Sequence, residues 1–109
     1  QGQAYYRSTW AVFGMMRDKD SAAVVQALKA RVDHWLPCTL PGARAASAAE
    51  LAQTLAAAGV AGPLPQFATA ADAFRHAQEK VGEDDRILIF GSFLTVAAVM
   101  RVLREAQRL

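Results

Sequence analysis

Arg86-Ile87-Leu88-Ile89-Phe90-Gly91-Ser92 decides the fold. Its apolar run has no polar alternation, which suits a strand covered on both faces, as in a parallel sheet between helical layers. Gly91-Ser92 closes that strand and opens a helix from Phe93 to about Gln107. Working outward, Thr9-Trp10-Ala11-Val12-Phe13 reads as a second apolar strand, closed by Gly14. A helix is expected from about Lys19 to Arg31, with Ala23, Val24, Ala27, Leu28 and Val32 on helical spacing. Asp18 or Asp20 suits its positive end and can cap it. His34-Trp35-Leu36-Pro37-Cys38 is a further strand, followed by the loop Thr39-Leu40-Pro41-Gly42-Ala43-Arg44. Ser47-Ala48-Ala49-Glu50 is a capping box, and its helix stops at Gly59. Pro63 and Pro65 bracket a short strand around Gln66-Phe67-Ala68, which must lie near an edge because proline cannot donate to a ladder. Thr69-Ala70-Ala71-Asp72 opens another helix, ending near Val81-Gly82.

Strands that alternate with helices of about a dozen residues are stacked βαβ units. The expected fold is α/β: a three-layer α/β/α, Rossmann-like arrangement around a mostly parallel sheet. Right-handed crossovers leave few topologies. Spatial order 3-2-1-4 places the two most apolar strands, the first and the last, side by side. Residues 9–109 form one domain, and residues 1–8 precede it as a segment whose structure the pattern does not determine.

The 109 residues are 53% apolar and 20% charged, which is globular and large enough for one core. The single cysteine, Cys38, forbids an internal disulfide and points to a reducing cytoplasm. No apolar run approaches the ~20 residues of a membrane span. Net charge is +2 and the twelve basic residues are scattered, so neither nucleic acid nor membrane is an expected partner.

Open parallel sheets bind ligands outside the carboxyl ends of their strands, where strand order reverses. Here that place gathers Gly14-Met15-Met16-Arg17-Asp18-Lys19-Asp20 with Gly91-Ser92-Phe93. Two helix starts offer N–H groups to an anion, Ser92 adds a hydroxyl and Lys19 a cation. Asp18 and Asp20 suit an ammonium group or a ribose hydroxyl. On pattern alone, a capped, solvated helix start and a tight strand-to-helix turn account for the same residues equally well. His34 and His76 lack partners at metal spacing, so no metal site is expected. Cys38, Trp10, Trp35 and Met15-Met16 read as packing residues, and Arg101, Arg104 and Arg108 as the solvated face of the last helix. No phosphate loop, dinucleotide fingerprint or nucleophile elbow occurs.

Three segments in register resemble bacterial bifunctional dihydrofolate synthase/folylpolyglutamate synthases. Gly14-Met15-Met16-Arg17-Asp18-Lys19-Asp20 is similar to their G-M-x-x-D-K-D segment. Leu40-Pro41-Gly42-Ala43-Arg44-Ala45-Ala46 resembles their L-x-G-P-R-x-A loop, with Ala43 where proline is usual. Gly91-Ser92-Phe93-Leu94-Thr95-Val96-Ala97 resembles their G-S-F-x-T-V-A turn.

The resemblance implies the C-terminal domain of an ATP-dependent ligase of Mur type. Such an enzyme activates a dihydropteroate or folate carboxylate as an acyl phosphate, and the amino group of L-glutamate displaces phosphate to form an amide. It implies a cytoplasmic, monomeric parent acting in folate biosynthesis and polyglutamylation, with ATP and Mg2+ held mostly by an N-terminal ATPase domain outside this chain. The fragment alone is expected to be inactive and to hold no cofactor. By position, Ser92, Lys19 and Arg44 would bind glutamate, while Asp18, Asp20, Gly14 and Gly91 would line the cleft; no catalytic residue is expected within the chain. The family's D-x-A-H-N-P strand is absent from Gln1 to Ser8, so Arg86–Phe90 is expected as an exposed sheet edge through which the fragment can dimerise. A free-standing flavodoxin-like binding or regulatory module is the competing reading. A receiver of that type needs acidic residues after its first strand and a lysine after its last, where Gly14 and Gly91 stand.

Overall fold

The computed structural model describes residues 7–91 and 93–107. In chain order they form β1 (Thr9–Phe13), α1 (Ser21–Leu28) running into a 3-10 turn at Lys29–Arg31, β2 (His34–Pro37), α2 (Ala48–Ala57), α3 (Ala70–Lys80), β3 (Arg86–Phe90) and α4 (Phe93–Gln107). The sheet is parallel, with order β2-β1-β3. Val12 pairs with Leu36 on one side and with Ile89 on the other, which puts the first and last apolar runs next to each other.

Alternation along β1 feeds two cores. Val12 and Leu36 face α3 and α4, where Phe74, Ala77 and Val99 close over them. Ala11, Phe13 and Trp35 face the other way, against Val25 of α1 and Leu51 and Leu55 of α2. Each fully buried leucine there contributes roughly 1.5–3 kcal/mol. Both faces of the sheet are covered, so the three-layer expectation holds.

The expected third strand is shorter than its sequence suggested. Phe67 donates its N–H to Pro37 O and accepts from Thr39 N, both at 3.0 Å, and the pairing stops at that single parallel bridge to Cys38. Pro63 and Pro65 remove the donors a longer ladder needs. The position, outside β2, is the one order 3-2-1-4 requires; among the described residues the sheet has three strands and a bridge rather than four strands.

The helix starts follow local chemistry. Asp20 is the N-cap of α1, its Oδ1 accepting from Ala23 N at 3.0 Å, so the helix starts at Ser21 rather than Lys19. At α2, Ser47 Oγ accepts from Glu50 N at 3.1 Å and Glu50 Oε1 accepts from Ser47 N at 2.8 Å, a complete capping box. Thr69 caps α3 by accepting from Asp72 N at 3.0 Å.

Two surfaces are less covered than the apolar pattern implies. Arg86 to Ile89 are only half-buried, because β3 is the sheet edge among the described residues. On α4, Val96, Met100 and Leu103 form an exposed stripe at helical spacing, with Met100 half exposed. Among the described residues no helix is long and apolar enough to cross a membrane.

Candidate functional site

The carboxyl ends of β1 and β3 interlock. Gly91 has φ +115°, and a methyl group built on it would enter the shell of the Gly14 carbonyl oxygen and lie 3.0 Å from both the Gly14 carbonyl carbon and Met15 Sδ. Only glycine tolerates that conformation and that approach. A methyl on Gly14 would meet Leu40 Cδ2 at 2.9 Å and Thr95 Oγ1 at 3.0 Å. Thr95, wholly buried one turn into α4, donates its hydroxyl to Gly14 O at 3.1 Å. Gly14 and Gly91, expected as cleft-lining residues, therefore touch. Ser92 lies outside the described residues.

A second clamp joins the loop after β1 to the loop after β2. Met16 and Ala45 form an antiparallel bridge, with Ala46 N donating to Met15 O at 3.0 Å and Arg17 N to Arg44 O at 2.6 Å. Arg44 meets the other loop through its main chain, and its side chain is exposed. Beside this clamp lies a cleft of about 250 Å3, lined in part by Arg17, Lys19, Asp20, Glu50 and Thr54. Arg17 Nη2 reaches Glu50 Oε1 at 3.0 Å across it. The Ser47 N–H, foremost, and the Arg17 guanidinium hold the Glu50 carboxyl below its ordinary range. Asp20 is occupied as a helix cap. Lys19, Asp18 and Arg44 are exposed, and among the described residues their side chains have no hydrogen-bond or ion-pair partner. The rim thus combines a main-chain frame held by hydrogen bonds with exposed charges of both signs.

Larger hollows lie elsewhere. One of about 500 Å3 borders Trp10, His34 and Pro63-Leu64-Pro65 at the amino end of the sheet, where the His34 ring stacks on Trp10 at 3.9 Å. Cys38 is buried, and burial pushes its thiol up to about 12, so it is inert packing rather than a nucleophile. Among the described residues no three His, Cys, Asp or Glu side chains gather as for a metal ion.

Sequence reasoning passed over Thr95, Arg17 and Glu50. Thr95 and Arg17 stand inside the quoted motifs, and Glu50 was visible only as half of a capping box. The salt bridge spans 33 positions of sequence and the Thr95 bond 81, so neither has a local signature.

Comparison with known proteins places the chain in a family. The family model for the Mur ligase, glutamate ligase domain matches residues 1–93. The chain belongs to that family. A relative from Escherichia coli (strain K12), dihydrofolate synthase/folylpolyglutamate synthase, is 39% identical over 98 residues, covering 90% of this chain and 22% of the relative. The solved structure of E. coli FolC in complex with DHPP and ADP superposes with a TM-score of 0.84 at 35% identity, covering 96% of this chain and 24% of that one. A bifunctional folylpolyglutamate synthase/dihydrofolate synthase with Mn, AMPPNP and L-glutamate bound superposes with a TM-score of 0.80 at 37% identity, covering 89% and 22%. This Mur-type glutamate ligase domain therefore spans between a fifth and a quarter of the length of the relatives it matches.

Proposed function

We propose that this domain is the C-terminal part of an ATP-dependent ligase that adds L-glutamate to dihydropteroate or folate, and that it serves the glutamate side of the cleft. The observation that carries the reading is the meeting of the three motif loops at one sheet end, in a chain 39% identical to a dihydrofolate synthase/folylpolyglutamate synthase. A related structure holds L-glutamate.

Glutamate brings two carboxylates and an ammonium group, and the rim offers charges of both signs. Lys19 and Arg44 are the cations without side-chain partners there, suited to the carboxylates. Arg17 is held by Glu50 instead. Asp18 keeps a free carboxylate for the ammonium, whereas Asp20 spends its own on α1. Ser92, next to Gly91 in the sequence, completes the proposed set. The domain orients the amine of glutamate and keeps its carboxylates fixed while that amine attacks the activated pteroate carboxyl. ATP and its metal ion would supply that activation and would be held mostly by residues outside this domain. The isolated chain is on this reading inactive, and it associates with a second copy through the β3 edge.

The test is a chimera in which residues 7–109 replace the matching segment of the E. coli relative. ATP-dependent addition of glutamate to dihydropteroate is expected, with Lys19→Ala and Arg44→Ala raising the KM for glutamate about tenfold each. A folded chimera without turnover on any pteroate or folate would refute the reading.

A further inference from the structure

We infer that Thr95 is a positioning residue for the glutamate site, an inference that rests on the reading just given. Its hydroxyl is wholly buried and donates to the Gly14 carbonyl at 3.1 Å. That carbonyl is also the group against which Gly91 is pressed. Gly14 begins the loop carrying Asp18 and Lys19, and Gly91 directly precedes Ser92 in the sequence. The same loop is bound on its far side to the Arg44 loop, through Arg17 N to Arg44 O and Ala46 N to Met15 O. Thr95 therefore sits where displacement of one loop is passed to the other two. It touches no ligand in this arrangement; it fixes the separation of groups that do.

The hydroxyl, not the volume, carries the effect. Thr95→Val keeps the branched shape and removes the donor, leaving the buried Gly14 carbonyl without it. Thr95→Ser keeps the donor. A difference between these two variants is therefore a hydrogen-bond effect, whereas a role in core filling alone would make serine the worse substitution.

Two readouts test the inference. The first is hydrogen exchange on the 109-residue chain. Thr95→Val is expected to accelerate exchange about tenfold both in residues 14–20 and in residues 91–95, with α2 unchanged and Thr95→Ser restoring the native rates. Acceleration confined to α4 would overturn the coupling. The second is kinetics of the chimera, where Thr95→Val is expected to raise the KM for glutamate about tenfold, leave the KM for ATP within twofold, and be rescued by serine. Equal losses for both substrates, or no rescue, would reduce Thr95 to a structural residue. If the unsubstituted chimera shows no turnover, the glutamate reading fails, and the exchange data alone decide whether the lock exists. Should the valine variant not fold, Thr95→Cys, a weak donor, takes its place in both experiments.

Discussion

Gly91→Ala is expected to destabilise this domain strongly. The residue has φ +115°, where a side chain costs about 1–3 kcal/mol in backbone strain. The added methyl would also overlap the Gly14 carbonyl, so the ends of β1 and β3 must separate. Separation weakens the buried bond from Thr95 to Gly14 O, worth about 1 kcal/mol and more if the carbonyl loses its partner. Together these give a loss of about 3–5 kcal/mol, against a total stability of roughly 5–15 kcal/mol for a domain. At 4–8 °C per kcal/mol for a chain of this size, the melting temperature would fall by about 12–40 °C. Urea unfolding followed by circular dichroism measures this directly. Gly82→Ala is the control, because its methyl would meet only Asp85 Oδ2 at 3.7 Å and its backbone lies outside the left-handed region. The control should stay within about 1 kcal/mol of the parent. If Gly91→Ala also stays within that limit, the close approach of the two strand ends is not a requirement of the fold.

Other expectations concern surface and caps. Ser47→Ala should cost about 1 kcal/mol by opening the capping box of α2, measured by the same unfolding curves. Glu50 has its pKa lowered in the fold, so the stabilisation it brings is present above its ordinary value of 4.5 and is lost as pH falls through the lower folded value. Glu50→Gln should therefore flatten the acid limb of stability against pH, and an unchanged limb would show that the Ser47 and Arg17 contacts do not persist in solution. Self-association of the isolated chain, read by sedimentation, should weaken with Met100→Glu if the exposed α4 stripe contributes to the contact along β3. A chain that stays monomeric at high concentration would refute pairing through that edge.

Local chemistry was legible and distant chemistry was not. The helix caps at Ser47 and Thr69 could be read because donor and acceptor lie three positions apart. The adjacency of β1 and β3 followed from two apolar runs that both need cover. The prolines at 63 and 65 announced an edge, yet how far a ladder survives beside them depends on how the loop packs, and only Phe67 pairs. On α4, Val96, Met100 and Leu103 are exposed, since burial depends on what lies opposite and the helix cannot encode that locally. At the site, the motif loops were visible as strings of residues. Their clamps were not, because the contacts between Thr95 and Gly14 and between Arg17 and Glu50 join residues far apart in the chain.

The division between frame and charges bears on why the domain would not act alone. Main-chain contacts and the Thr95 bond fix where the three loops stand, and these contacts are already made in the chain as it is. The groups proposed to meet glutamate, Lys19, Arg44 and Asp18, are exposed and unpaired among the described residues. Ordering a long charged side chain costs up to about 2 kcal/mol, and a hydrogen bond formed in open water returns little of it. Two ordered cations on an open rim would thus leave glutamate bound weakly, with millimolar affinity or worse. On the proposed reading, a second domain closing over the rim would remove water and strengthen each of these contacts without moving the frame. Catalytic competence would then depend on closure, with loop separation set in advance by residues such as Thr95. A glutamate affinity of the isolated chain in the micromolar range, measured by calorimetry, would contradict that account.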